Sequence, residues 1–180
     1  MTRILAIDHG SRLCGWAVAD DGTIQEFGLI RMETVYPRTL VELSRRVRIL
    51  LRDHEPGVVA LERPMSLRGG HVAQVLIEHY ACCKLAALEA GISAQEVAPP
   101  TIKLIVAGAG NADKQTVAES LCIKYGLDLE DLCPAERYKA GARKGEVKTR
   151  AWDASDACAL AVAAVEMLRR ELTANNAANG

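Results

Sequence analysis

Aromatic side chains are scarce in this chain, at 4% of 180 residues. With so few rings to fill space, the core has to be aliphatic and rich in alanine. No stretch reaches the roughly 18 uninterrupted apolar residues of a membrane span. The start lacks the charged, apolar and small-residue regions of a secretory signal, and it is not an Arg/Ser-rich transit sequence. A soluble, cytoplasmic protein without membrane association is therefore expected. Paired cysteine motifs are missing as well. None of Cys14, Cys82, Cys83, Cys122, Cys133 and Cys158 falls in a C-x-x-C spacing, and most sit inside apolar segments. Cysteine there acts as a small hydrophobe, so neither a disulfide framework nor a zinc site is expected. Nor is there an excess of charge: 22 basic against 23 acidic residues leave a formal net charge of −1. Any affinity for nucleic acid must come from a local basic patch rather than from the whole molecule.

What is present reads as one α/β unit. Three β-like segments open the chain at 3–8, 15–20 and 24–32, the last two joined by a turn at "DDG". Leu40, Leu43, Val47, Leu50 and Leu51 then repeat with helical spacing, between Pro37 and the Pro56-Gly57 pair. "VVALE" at 58–62 reads as a buried strand, followed by a long helix over 71–90 and a short strand at 93–97. Small residues along the 71–90 helix suit either core packing or a dimer face. Helices are predicted over 101–107, 113–124 and 151–171. Residues 126–150 read as irregular, with a basic run from Arg137 to Arg150, and the tail from 173 to 180 as disordered. This order gives an α/β fold: a mixed five-stranded sheet flanked by helices, in a single domain spanning 1–172.

Four acids stand at element ends. Asp8 closes the first strand and Glu62 closes "VVALE", while "WDASDA" places Asp153 and Asp156 at i and i+3 on one face of a helix start. Taken singly, Asp8 is a turn cap as readily as a ligand, Glu62 suits a solvated strand end, and acids favour helix N-termini anyway. Together they imply a carboxylate cluster at one sheet edge, where mutual repulsion would keep some protonated. A pair of divalent cations would relieve that repulsion. Oxygen-only ligands suit Mg²⁺ or Mn²⁺, and two such ions would clamp a scissile phosphate and activate water.

The sequence resembles the RuvC family of Holliday-junction resolvases, within the RNase H-like superfamily. The blocks that carry the resemblance are "ILAIDHGSRLCGWAV", "VVALERPM", "TIKLIVAGAGNADKQTV" and "WDASDACALAVA", in the family's order over about 3–166. The resemblance implies an RNase H-like fold and catalytic, metal-binding acids at Asp8, Glu62, Asp153 and Asp156. It also implies basic residues near the cleaved phosphate at Lys103 and Lys114. Further implications are a homodimer through the 71–90 helix, and paired symmetric nicks in a four-way DNA junction. Three departures stand out: His9 replaces the usual proline after the first acid, and Met65 stands where many members carry a wedging aromatic. The stretch between Lys114 and Asp153 is also longer than usual, by about twenty residues on comparison with typical bacterial members.

Junction opening then falls to Met65, Leu67 or Arg68. The added basic run, Arg137, Lys139, Arg143, Lys144, Lys148 and Arg150, is a candidate DNA-binding element. Two other functions share these features, a catalytically silent junction binder and a nuclease for RNA–DNA hybrids. Retention of all four acids speaks against the first, and the Lys103 and Lys114 blocks speak against the second. An actin-like ATPase also starts with a strand and Asp-x-Gly-Ser, but 180 residues leave no room for its second domain.

Overall fold

The computed structural model describes residues 2–64 and 70–178. Strands β1 (Arg3–Asp8), β2 (Leu13–Asp20) and β3 (Thr23–Arg31) form an antiparallel meander. The β2–β3 turn is Asp21-Gly22, with φ of 49° and 83°. Two successive positive φ values match the right-handed twist of a hairpin, and Gly22 adopts its value without a steric penalty. After α1 (Arg38–His54), β4 (Val58–Glu62) lies parallel to β1; after α2 (His71–Glu89), β5 (Ser93–Val97) lies parallel to β4. The sheet order is β3-β2-β1-β4-β5, the expected mixed five-stranded sheet.

Alternation along the strands divides the core in two. Leu5, Ile7, Val18, Val59 and Leu61 face Leu43, Val47 and Leu51 of α1 and Cys83, Ala86 and Ala87 of α2. Ile4, Ala6, Ala17, Ala19 and Ala60 face the other way, onto α3 (Pro99–Ala107), α4 (Lys114–Tyr125) and α6 (Asp153–Ala178). Ala157, Ala159, Ala161, Ala163 and Ala164 of α6 are all fully buried or nearly so. Their small size lets this helix lie close on the strands, and an alanine-rich core makes up for the lack of rings.

Two segments differ from expectation. Residues 126–150 are ordered into α5 (Leu129–Leu132) and a hairpin of β6 (Ala135–Arg137) and β7 (Val147–Arg150). The predicted disordered tail instead continues α6 as far as Ala178. Alanines at 174, 177 and 178 favour helix, and no glycine or proline interrupts before Gly180. Among the described residues no helix is long and apolar enough to cross a membrane.

Candidate active site

Strand parity sets the direction of the first two acids. Asp8 continues the face of Ile4 and Ala6, and Glu62 continues that of Ala60, so both turn toward α6. Ile7 pairs with Leu61, which puts Asp8 and Glu62 side by side at the C-terminal ends of parallel strands. That edge of an open α/β sheet is the usual position for a ligand.

The first turn of α6 is brought onto this edge by glycine. Gly15 is the register partner of Asp8 on β2. A Cβ there would lie 1.7 Å from the carbonyl oxygen of Asp153, so only glycine lets the helix start come so near. Asp153 in turn points toward the β1–β2 loop, its Oδ1 3.5 Å from where a Cβ on Gly10 would lie. Asp156, one turn along, reaches the same cavity as Asp8 and Glu62. That cavity measures about 280 Å³, and Lys103 of α3 and Lys114 of α4 also line it. Asp113 caps α4 by accepting a 2.7 Å bond from the Thr116 amide, which fixes Lys114 as the first helical residue. Lys114 Nζ donates to Asp156 Oδ2 at 2.5 Å.

The charges in this cavity are strained in one direction. Burial, then the fields of Asp156, Glu62 and Asp153, push the Asp8 carboxyl well above the usual range, with Lys114 opposing. Glu62 is raised by burial and by Asp156, against Lys114 and Lys103. Asp153 is raised chiefly by burial. Burial works against the Lys114 ammonium, but its bond to Asp156 and the fields of the acids raise its pKa. An oxygen-only donor set with too much negative charge fits a hard divalent cation. Among the described residues, however, no three such side chains are already close enough to enclose an ion, and Asp156 is turned to Lys114. Lys114 therefore serves as the resident counter-charge.

A supporting set of residues, of which only His9 stood out in the sequence, lies behind the acids. His79 of α2 is fully buried, its Nδ1 2.9 Å from the Gly10 carbonyl and its Nε2 2.9 Å from the Thr39 hydroxyl. His9 lies beside the Tyr80 ring, with centroids 5.4 Å apart. Burial, helped by His79, lowers its pKa to about 4, so it is neutral. Tyr80 donates to Glu96, which also pairs with Lys84 and Arg63. These bonds tie β5 and α2 together behind the acids.

The predicted basic residues are spread widely. Lys103 and Lys114 meet at the cavity. In the hairpin, Arg137 and Arg150 pair with Glu130, Lys148 with Glu136, and Arg143 with Glu146. Lys139 and Lys144 have no ion-pair partner among the described residues. Met65, Leu67 and Arg68 lie outside the described residues.

Comparison with known proteins identifies the family. The family profile described as Crossover junction endodeoxyribonuclease RuvC matches residues 4–135. The RuvC of Halorhodospira halophila is 36% identical over 126 residues, which cover 65% of this chain and 73% of that protein. Among solved structures, Thermus thermophilus RuvC superposes with a TM-score of 0.70 at 21% identity, over 94% of this chain and 96% of the other. The same protein in complex with a Holliday junction substrate gives 0.70 at 22% identity, over 91% and 92%. With RuvC neighbours in fold and a profile match over most of its length, the chain belongs to the RuvC family of crossover junction endodeoxyribonucleases within the RNase H-like superfamily.

Proposed function

We propose that this protein resolves four-way (Holliday) DNA junctions by hydrolysing one phosphodiester in each of two strands, giving paired symmetric nicks in recombination and repair. The observation that carries the reading is the single cavity that gathers Asp8, Glu62 and Asp156 around Lys114, with Lys103 at its wall. Family membership, through curated relatives named crossover junction endodeoxyribonuclease, supports the same activity.

Asp8, Glu62, Asp153 and Asp156 are the residues to hold Mg²⁺ or Mn²⁺, two ions per site. Asp8 is central to the acids, feeling the fields of the other three, and all four would contribute oxygen ligands. Bound there, divalent cations would supply charge neutralisation at the scissile phosphate and a water of lowered pKa. The chain's own part is electrostatic. Lys114, released from Asp156 as the carboxylates gain other partners, is placed to hold charge on the phosphoryl oxygens, and Lys103 extends that field. Partial burial of the acids makes each interaction count for more than it would in open water. A cut between the 3′ oxygen and phosphorus leaves 5′-phosphate and 3′-hydroxyl ends, which a ligase can rejoin.

Symmetric nicking needs two active sites, and α2 offers the surface for a homodimer. Its buried face packs on α1, while Ile77, Ala81, Leu85 and Leu88 form an exposed, mostly apolar stripe. Such a stripe at helical spacing suits a second copy of the same helix. Met65, Leu67 and Arg68 are the candidates for opening the junction centre, and the cytoplasm is the compartment this activity would serve.

The test is cleavage of a labelled four-way junction, a matched linear duplex and an RNA–DNA hybrid, in Mg²⁺, Mn²⁺ or EDTA, beside Asp8→Asn. Paired symmetric nicks on the junction alone, lost in EDTA and in the variant while binding persists, are expected. Binding without cleavage would indicate a silent junction protein, and cutting confined to the hybrid would indicate a ribonuclease.

A further inference from the structure

The β6–β7 hairpin is built in two parts with different electrostatics. At its base, Arg150 has a side chain only 18% exposed, with Nη1 2.6 Å from the Cys133 carbonyl and 3.0 Å from Glu130. Arg137 meets the same Glu130, which also accepts from the Ala135 amide at 3.3 Å. Asp128 caps α5 and so fixes Glu130 in place. One carboxylate thus joins both strands to α5. The Ala151 amide bonds the Pro134 carbonyl just before α6, and Asp153 follows two residues later. The hairpin is therefore seated on the helix start that carries two of the acids.

The tip is closed on itself, but its charge is not neutralised. Tyr138 and Gly145–Glu146 exchange backbone bonds of 2.9 and 3.0 Å, and the Lys144 amide bonds the Gly141 carbonyl at 3.1 Å. Arg143 lies over the Tyr138 ring, 4.5 Å from its centroid. Lys139 and Lys144 are exposed, and neither has an ion-pair partner among the described residues. A paired base cation must give up its carboxylate before it can meet a phosphate, whereas the two tip ammonium groups need give up only water.

We infer that the hairpin tip is a phosphate-backbone contact for the duplex arm that leaves the active site, made by Lys139 and Lys144, while Arg143, paired with Glu146 and lying over Tyr138, shapes the tip. Arg137, Lys148 and Arg150 are anchors of the hairpin rather than DNA contacts. Six residues from base to tip reach at most roughly 20 Å, and duplex DNA presents a charge every ~1.7 Å along its axis, so a few phosphates fall within range. The contact is independent of sequence, because it meets phosphates and not base edges. This inference rests on the junction-resolving reading.

Fluorescence anisotropy with a labelled four-way junction and with a linear duplex, in EDTA and over a salt series, tests it. Each lost phosphate contact flattens the plot of log K against log salt by about 0.9, so Lys139→Ala/Lys144→Ala should flatten it by about 2 on both DNAs. Its melting temperature should stay within about 2 °C of wild type, because both substitutions are exposed. Arg150→Ala, in contrast, should lower the melting temperature. An unchanged salt slope, or a change on the junction but not on the duplex, would overturn the assignment to an arm. Wild-type protein that fails to bind the junction would instead overturn the functional reading, and this inference with it.

Discussion

His79 holds the turn that follows Asp8: its buried Nδ1 lies 2.9 Å from the Gly10 carbonyl. A carbonyl can only accept, so Nδ1 carries a proton, and Nε2 lies 2.9 Å from the Thr39 hydroxyl. One imidazole thereby joins α1, α2 and the active-site turn. His79→Ala should cost about 2–4 kcal/mol, since it leaves buried polar groups unpaired and a void. That corresponds to a melting temperature lower by roughly 5–15 °C. Thr39→Val should cost less, and the double variant less than the sum of the two, in thermal or urea unfolding. Strict additivity would mean that the two residues do not act as a unit.

Asp8 is the acid whose ionisation is most opposed by its surroundings. A carboxyl raised in the folded state binds protons there that the unfolded chain has released, so its contribution to stability is lost as pH rises through the folded value. In metal-free buffer at neutral pH, Asp8→Asn should therefore melt several degrees above wild type, and the gap should close toward acid pH. Glu62 and Asp153, also raised, feel the Asp8 charge in return, so their relief adds to the gain in the variant. Added Mg²⁺ or Mn²⁺ should raise the wild-type melting temperature and leave the variant nearly unmoved. A variant no more stable than wild type in EDTA would contradict the repulsion described here.

How much of this was legible beforehand depends on sequence distance. β1 and β4 each read as an apolar run ending on an acid, and strand parity alone then turns Asp8 and Glu62 to the same side. Asp153 and Asp156 were placed by helical spacing. The hairpin was not legible, because its strands lack apolar alternation and are held by ion pairs to Glu130, which composition does not reveal. The role of His79 was hidden for a different reason: its partners lie 69 and 40 residues away along the chain.

Gly15 carries a requirement that no local turn explains. An alanine Cβ would meet Asp153 O at 1.7 Å, Asp153 C at 2.3 Å and Ala154 N at 2.9 Å, all backbone atoms of the α6 start. Relief requires moving the helix that holds two acids. Gly15→Ala should therefore cost at or beyond the upper end of the about 1–3 kcal/mol typical of overpacking, and should abolish cleavage even at saturating protein. Gly28 is the control. There a Cβ meets the Trp16 ring at 2.9 Å, and a side chain can shift. Urea unfolding of the two variants should rank Gly15→Ala well below Gly28→Ala; equal costs would show that α6 moves freely.

Lys114 and Lys103 line the same cavity, yet the structure gives them unequal parts. Lys114 bonds Asp156 directly and opposes the charge of Asp8, Glu62 and Asp153. Lys103 acts only through its field on Glu62 and Asp113. A cation that stabilises developing phosphoryl charge acts on the rate more than on binding. Lys114→Met should lower the single-turnover cleavage rate by about 10²–10³-fold, the scale seen when one preorganised donor is removed. Junction affinity in EDTA should fall far less. Lys103→Met should lose a smaller part of the rate. Metal-free Lys114→Met should also be less stable than wild type, because Asp156 loses its partner while Asp8 keeps its carboxylate neighbours. If the two variants cut equally fast, the charge at the phosphate would come from elsewhere, and the Lys114–Asp156 pair would be only a structural tie between α4 and α6.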